Sequence, residues 1–430
     1  MMESQEKQRA SFGEVLRNRN FLALWLGQVI SQIGDSFTFL ALLITVNRLT
    51  GSTASMGLMM ISLTLPQLIF SFLAGVLVDR IDRKKIMIFS DLLRAVLVLA
   101  FITVQSAEQV YVFYIVGFLV STVSVFFGPA KTAMIPRIVE GEAKLLSANA
   151  LSQTIRVAAM LIGPAMAGFV IAWLGASAAF LVDSLTYLAS ALAIMTITTG
   201  GATIDKERIG ARMIWQRFTE GFAYMLHNGT VLGIIVTLLV ALLGVGAIEV
   251  LFVPYLQGEF GIGPEGLGFV QTAQGLGMLV GSVLIGNLAS RFRLTRIVAL
   301  CIAALGLAVA SCGFVSQFVF ILVGLFIAGL ALAPLNAALS TLMQTTVPDD
   351  KLGRVGSVAD TTMTVSYLIS MSGAAFLADA LGMRAVFVAS GIITTLSVLP
   401  ALTMMKEPEA ASREALDAKA PASPERLAEA

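Results

Sequence analysis

The sequence is poor in the residues from which most enzyme and metal sites are built. Its 430 residues include a single histidine, His227, and two cysteines, Cys301 and Cys312, which fall in one apolar run. Zinc and copper sites need several such ligands close together, and a catalytic relay needs histidine beside other polar groups. The pattern G-x-x-x-x-G-K-S/T of ATP-driven motors is also absent. We therefore expect no metal, no cofactor, no disulfide framework and no enzymatic activity.

Charge is scarce as well, and this scarcity accompanies long hydrophobic runs. Only 13% of the residues are charged, whereas 57% are hydrophobic. A helix needs about 20 apolar residues to cross a bilayer core, and about twelve runs of that length follow one another. The sequence predicts an all-α membrane protein with these twelve transmembrane helices: 20–47, 53–78, 86–105, 109–130, 146–173, 176–199, 229–256, 264–290, 295–314, 317–345, 354–380 and 383–404.

The placement of the basic residues predicts the orientation. Of the 28 lysines and arginines, 24 fall in the two terminal segments and in alternate loops. The intervening loops hold only Arg48 and Arg384, and Arg94 and Arg156 lie inside predicted helices. Because basic loops stay in the cytoplasm, we expect a multi-pass protein of a bacterial plasma membrane with both termini cytoplasmic.

The chain divides into two halves that echo each other. Residues 1–19 are predicted to form a cytoplasmic segment, 20–199 and 229–405 two pseudo-symmetric six-helix bundles, 200–228 a cytoplasmic central loop, and 406–430 a cytoplasmic tail of disordered composition. The segment Gly75–Arg80 followed by a basic loop is repeated as Gly286–Arg291 followed by another. Repeats of this kind place a substrate site at mid-membrane between the halves.

Three segments resemble a known family. Residues 75–85 read G-V-L-V-D-R-I-D-R-K-K and resemble the loop 2–3 signature G-x-L-A-D-R-x-G-R-K of the major facilitator superfamily. Residues 163–168, G-P-A-M-A-G, resemble its antiporter motif G-P-x-x-G-G. Gln28, Ser31, Gly34 and Asp35 are spaced as in its macrolide-efflux and siderophore-exporter branch. The resemblance implies the major facilitator fold and export, although the helix-four arginine of many drug–proton antiporters is missing.

The resemblance also implies a cytoplasmic gate. In the superfamily, the loop 2–3 aspartate and arginines brace the gate against helix eleven, and this role carries over to Asp79, Arg80 and Arg83. Asp91 and Arg94, three residues apart, are expected to pair near the inner end of helix three. Asp360 is expected to join this network. The alternative is a basic loop that only fixes orientation.

Three charged residues within helices are the candidates for proton coupling. Asp35 is the sharpest, because a carboxylate at mid-bilayer costs from about 3 to more than 10 kcal/mol and usually faces a cavity or a partner. Burial favours its protonated form, which suits a proton carrier. Glu249 in helix seven is a second acid across the repeat axis. Arg156 in helix five needs an anion, and Asp35 or Asp183 could supply it. The alternatives are hydrogen bonding between helices for Asp35, hydration for Glu249, and a permanent ion pair or an anionic substrate for Arg156.

Polar and aromatic residues at helical spacing predict a substrate cavity. Its candidate lining residues are Gln28, Gln32, Phe39, Ser124, Phe252, Tyr255, Asn336, Ser340 and Gln344. The alternative is that these side chains pack helices together. Gly163 and Pro164 form a candidate hinge in helix five, or a passive kink.

The sequence thus favours a secondary active transporter. It would export amphipathic small molecules, such as drug-like compounds, macrolides or siderophores, by proton antiport with alternating access. We expect small molecules, protons and membrane lipids as partners, no nucleic acid, and a monomer. One alternative is a lipid or lysophospholipid transporter or flippase, and another is a membrane sensor or scaffold that transports nothing.

Overall fold

The computed structural model describes residues 12–198 and 211–406, apart from the side chains of a few residues within these ranges, and within them it is helical with no strands. The spanning helices are α1 (Arg19–Thr50), α2 (Thr53–Arg80), α3 (Arg83–Leu99), α4 (Tyr111–Ile138), α5 (Glu142–Leu174), α6 (Ala176–Met195), α7 (Gly229–Phe260), α8 (Pro264–Arg291), α9 (Leu294–Cys312), α10 (Phe318–Thr346), α11 (Asp349–Leu381) and α12 (Met383–Leu396, continued by Val398–Thr403). A short helix, Phe12–Leu16, precedes α1, and a linker helix, Ala211–His227, precedes α7.

Local sequence sets the ends of the helices. The Asn18 side chain accepts hydrogen bonds from the first backbone amides of α1, and Asn228 does the same for α7. Gly51 and Gly261 then end α1 and α7 in the left-handed conformation, which glycine adopts without strain. The two corresponding helices of the halves therefore begin and end with the same chemistry.

The prediction of twelve apolar helices of membrane-spanning length is confirmed. Most boundaries differ by a few residues, and two differences are larger. Helix α4 runs on past Pro129 and Pro136 to Ile138, because its last turns bury Met134, Ile135 and Ile138 against the neighbouring helices. The polar segment between the halves is also not a plain loop, since the linker helix occupies most of its described part. The predicted tail beyond residue 406 lies outside the described residues.

The apolar cores show how the two halves meet. We call the end where α2 ends and α3 begins the basic end. Away from it, one large core contains buried side chains of both halves, such as Leu43 of α1 and Val253 of α7. Towards the basic end, the core around Met87 and Ile135 belongs to α1–α6, and the cores around Ile234 and Val355 belong to α7–α12. The halves thus share a core at one end only.

Candidate functional site

Hydrogen bonds join the halves at the end opposite the basic loops. The Asn47 side-chain amide near the end of α1 donates to Gln257 Oε1 near the end of α7, at 2.7 Å. The Thr53 hydroxyl at the start of α2 donates to Asp379 Oδ1 near the end of α11, at 2.6 Å. Both pairs lie within a few residues of helix ends on the same side of the molecule, so this side is closed.

Helices α5 and α8 seal the same side by backbone contact. A Cβ atom added to Gly268 would lie 2.5 Å from the Pro164 carbonyl oxygen, and one added to Gly168 would lie 2.6 Å from the Pro264 carbonyl oxygen. Such distances leave no room for any side chain but hydrogen. The two helices therefore cross with their backbones touching, and glycine at both positions makes this possible.

The basic end is open between the halves. The buried cores at this end belong to one half or the other. A Cβ atom added here to Gly75 of α2 or to Gly353 or Gly356 of α11 would meet no atom within 4 Å. The separate cores at this end, with the bonds between the halves at the other end, indicate a central cavity that opens at the basic end.

A cavity of about 230 Å³ lies at the closed end of this opening, between the two halves. Helices of both halves line it: Phe39 and Leu43 of α1, Met160 of α5, Ile248, Glu249, Phe252 and Val253 of α7, Gln271 and Gln274 of α8, and Leu325 of α10. Its wall is mostly apolar, with one carboxyl and two amides. This is the usual composition of a site for a small organic molecule.

Glu249 is the charged residue of this wall. Its carboxyl interacts with the Tyr367 side chain of α11, and no described residue forms an ion pair with it. The predicted residues Phe39 and Phe252 flank it in the same wall. The structure thus brings one predicted acid and two predicted aromatic residues together across the two halves.

Other predicted cavity residues lie elsewhere. Tyr255 is fully buried inside the C-terminal half, where its hydroxyl donates to the Cys312 carbonyl at 2.6 Å and its ring packs on Phe387. Gln28 is 3% exposed and packs within the N-terminal half. These two predictions are wrong because a polar group on a helix can face the interior of its own bundle as readily as the cavity.

The polar residues of α10 lie nearer the open end. Asn336, Ser340 and Gln344 are exposed, and the Gln344 amide donates to the Ser340 hydroxyl at 3.3 Å. They do not reach the 230 Å³ cavity, nor does the half-exposed Gln32. Any contact of these four residues with substrate stays a prediction.

Asp35 lies near the middle of α1, 16 residues and therefore about 24 Å from the start of the helix. It is partly buried, and its Oδ1 accepts a hydrogen bond from the Tyr187 hydroxyl of α6 at 2.5 Å. A carboxyl at this depth thus has both a fixed donor and a partly open side. Such a group is able to exchange a proton.

Arg94 of α3 lies on the other side of Tyr187. Its guanidinium stacks on the Tyr187 ring, 4.3 Å from the centroid, and on the Phe127 ring at 4.8 Å. It also forms a buried ion pair with Asp91 and donates to the Ser124 hydroxyl at 3.4 Å. The predicted pairing of Asp91 with Arg94 is confirmed, but the pair lies inside the N-terminal half and not in a gate network. Ser124 belongs to this cluster and not to the cavity wall.

A third acid, Asp183 of α6, completes the cluster. It is fully buried, its Oδ1 accepts from the Thr186 hydroxyl at 3.1 Å, and it contacts the backbone at Gly34, next to Asp35. Three carboxyl groups thus surround one buried guanidinium. All three carboxyl groups interact electrostatically with Arg94, and because an unpaired buried charge is costly, this one guanidinium is the shared counter-charge of the cluster.

Arg156 does not have the predicted partners. It is exposed, and it forms no ion pair with any residue in the described ranges. Asp35 instead bonds to Tyr187, and Asp183 bonds to Thr186. The expected pair is wrong because Arg156 of α5 is exposed, whereas both acids are held by hydroxyl groups of α6.

Sequence reasoning missed two residues of the site. Tyr187 gave no signal, because a tyrosine in an apolar helix is ordinary. Lys131 lay just beyond the predicted end of α4, but the structure places it within that helix, half-buried and in electrostatic interaction with Arg156 and Asp35. Helix α4 of this chain thus lacks the arginine of many drug–proton antiporters but contains a lysine, Lys131.

The structure describes only part of the predicted gate and hinge. Arg80 and Asp360 are exposed, and Arg83 is half-buried at the start of α3. The side chain of Asp79 lies outside the described part of the structure. At the predicted hinge, α5 is a continuous helix through Gly163 and Pro164, and a Cβ atom added to Gly163 would lie 2.3 Å from Ser36 Oγ of α1. Gly163 therefore serves close packing in this state, and its role as a hinge stays a prediction.

Comparison with known proteins bears on this architecture. Residues 11–429 match the family described as transmembrane secretion effector. The chain is 28% identical over 419 residues to the MFS-type transporter YfiS of Bacillus subtilis, covering 93% of this chain and 96% of that one. It is 25% identical over 378 residues to macrolide efflux protein A of Streptococcus pyogenes, covering 87% and 93%.

The fold is also found among solved structures. A bacterial homologue of the iron transporter ferroportin, in an inward-facing state, superposes with a TM-score of 0.74 at 14% identity, over 90% of this chain and 99% of that one. The match of the family over nearly the whole chain, the twelve helices and the shared fold agree. The chain belongs to the transmembrane secretion effector family of the major facilitator superfamily, and it is a membrane transporter and not an enzyme.

Proposed function

We propose that this transporter exports amphipathic small molecules from the cytoplasm in exchange for protons. The cavity between the halves would receive the molecule, and the cluster around Asp35 would receive the proton. The partly buried Asp35 at mid-membrane, bonded to Tyr187 beside Arg94, carries this proposal. The similarity to a macrolide efflux protein supports the direction of transport.

The charges of the loops supply the orientation. The predicted loops that include the basic end of α2 and α3 hold nearly all of the lysines and arginines outside the predicted helices. Because such loops stay in the cytoplasm, the open end of the cavity faces the cytoplasm of a bacterial cell. A molecule would enter from that side or from the inner leaflet, and the closed end would have to open to release it outside.

The proton cluster and the substrate cavity are connected through α1. Asp35 and Phe39 are four residues apart and therefore share one face of the helix, and Phe39 lines the cavity. Protonation of Asp35 would remove its charge from beside Arg94 and Lys131. That loss changes the electrostatics of α1, which spans the interface of both halves, and so couples the proton to the conformation.

Proton flux into proteoliposomes tests the proposal. Purified protein is reconstituted with a trapped pH-sensitive dye, and proton movement is recorded when a lipophilic drug-like substrate is added on the side of the basic end. The wild type should move protons against the substrate, and Asp35→Asn should abolish the movement. Glu259→Gln is the control, because Glu259 lies at the opposite end and pairs with Arg384 on the surface.

Substrate-driven proton movement that persists in Asp35→Asn would remove this residue from coupling. Substrate movement in the wild type without any proton movement would overturn antiport itself. A pH gradient imposed in the reverse direction should drive substrate accumulation in the wild type, which checks the coupling from the other side.

A further inference from the structure

Charged groups of opposite sign belong to the two halves around the central opening. In the C-terminal half, Glu249 lines the cavity, and Asp360 is exposed on α11 nearer the open end. In the N-terminal half, Arg156 of α5 is exposed one helical turn before the cavity residue Met160, and it interacts electrostatically with Lys131 of α4. Each half contains both acidic and basic residues, so the positions of these charges around the cavity depend on how the helices pack.

Arg156 faces the cavity by its position on α5. The helix packs against α1 at Gly163, and against α8 at Leu161, whose side chain contacts the space beside Gly275. At 100° per residue, Arg156 points between these two contacts. Met160, one turn further along the same face, lines the cavity. The Cβ atom of Arg156 therefore lies about 5–6 Å from that of the cavity residue Met160, on the side of the open end.

Among the described residues, Arg156 forms no ion pair with a carboxylate, and Lys131 beside it adds positive charge. Asp35, which interacts with Lys131, accepts the Tyr187 hydrogen bond. A cation near the middle of a spanning helix is costly unless water or a ligand meets it, so this position suits an anionic group.

Glu249 presents the complementary case. Among described residues it interacts with the Tyr367 side chain but with no lysine or arginine. Phe39 and Phe252 border it, and aromatic faces attract cations. A carboxylate beside two phenyl rings suits an ammonium group with an apolar substituent.

We propose that the cavity binds zwitterionic amphiphiles, with the ammonium group at Glu249 and the anionic group at Arg156 and Lys131. The apolar part would occupy the 230 Å³ cavity among Phe39, Met160 and Phe252. This inference rests on the proposed function in taking the cavity as the transport site, and it adds the charge of the substrate. A purely cationic or purely anionic amphiphile would leave one wall uncompensated.

Binding of a matched fluorescent series tests the proposal. Nε-dansyl-lysine carries an α-ammonium and a carboxylate, its methyl ester carries only the ammonium, and its Nα-acetyl derivative carries only the carboxylate. Dansyl fluorescence is titrated against the purified full-length protein in nanodiscs, without any gradient. The wild type should bind the zwitterion about tenfold more tightly than either analogue, as expected for one additional charge-assisted hydrogen bond.

Variants should show which charged residue binds which group of the zwitterion. Arg156→Gln should weaken the zwitterion about tenfold and leave the methyl ester unchanged. Glu249→Gln should weaken the zwitterion and leave the acetyl derivative unchanged. Arg384→Gln and Glu259→Gln, which remove the same side-chain charges from a surface pair at the closed end, should leave all three affinities unchanged.

Equal affinity of the wild type for all three probes, or no binding of the zwitterion, would overturn the proposal. So would an Arg156→Gln variant that weakens all three probes alike, since that result marks a structural residue. If Arg156→Gln does not fold by size-exclusion chromatography, Arg156→Lys, which keeps the charge, should fold and retain the preference for a carboxylate. Because binding needs no proton flux, failure of antiport would leave these results intact, and the two failures are distinguishable.

Discussion

The contact between α5 and α8 gives the sharpest test of the conformational reasoning. Gly268 touches the backbone of α5, where an added Cβ would lie 2.5 Å from the Pro164 carbonyl oxygen. A backbone carbonyl in a packed helix cannot rotate away as a flexible side chain can. Gly268→Ala should therefore force the two helices apart, but only in the state in which this end of the molecule is closed.

The size of the effect follows from the cost of overpacking. An extra methyl group in a tightly packed contact costs about 1–3 kcal/mol. If the full cost falls on the state shown here, the ratio of this state to the alternative decreases by about 5- to 150-fold. The substituted protein should therefore populate conformations in which the closed end has opened and the basic end has closed.

Spin labels at the basic end report this change. Gly75→Cys on α2 and Gly356→Cys on α11 place labels where the structure leaves open space, and the natural cysteines Cys301 and Cys312 are buried. Double electron–electron resonance should show a new population of shorter distances when Gly268→Ala is added. The distances should shorten because closure of the basic end brings α2 and α11 together.

Gly258→Ala is the matched control. Gly258 lies near the end of the adjacent helix α7, and a Cβ atom there meets nothing within 4 Å. It should leave the distance distribution unchanged. An unchanged distribution in folded Gly268→Ala, or the same shift in Gly258→Ala, would refute the idea that the α5–α8 contact holds this end closed.

Three further predictions concern the buried polar groups. Arg94→Gln leaves Asp91 unpaired and should destabilise the protein by about 3–5 kcal/mol. The double variant Arg94→Gln with Asp91→Asn should lose less stability in thermal unfolding in detergent, and an equal loss in both variants would contradict the buried ion pair. Tyr187→Phe removes the donor to Asp35 but keeps the ring on Arg94, so gradient-driven transport should decrease several-fold while the melting temperature changes little; unchanged transport would separate Tyr187 from coupling. Tyr255→Phe removes a buried hydrogen bond and should cost about 1 kcal/mol of stability without changing substrate affinity; a changed affinity would return Tyr255 to the cavity.

The helices were predictable because the bilayer imposes one rule on every spanning segment. Inside the membrane the backbone must satisfy its own hydrogen bonds over about 20 apolar residues, and this requirement is written locally. The end of α4 was misjudged because Pro129 and Pro136 suggest a stop, whereas buried contacts of Met134 and Ile135 with neighbouring helices sustain the last turns. The linker helix was missed because its amphipathic pattern lies within a polar segment.

The sites were only partly predictable because helical spacing gives a face but not its partner. Asp35, Glu249 and Arg156 drew attention as charges in apolar runs, and that inference needs only the cost of burying charge. Which of them meet was not readable. Asp91 and Arg94 pair as their spacing suggests, but the aromatic groups of Tyr187 and Phe127 hold the guanidinium deep in the bundle.

The sequence by itself determined that this protein spans a membrane, the number of its spanning helices, its division into halves and the family to which it belongs. These features depend on hydrophobicity, loop charge and short motifs, all of which are local. Only the tertiary structure decided which end is closed, that Tyr255 and Gln28 are buried, and that Glu249 lines a cavity between the halves. Those outcomes depend on contacts between residues a hundred or more positions apart, and the packing of twelve helices against one another selects among the faces that each helix offers.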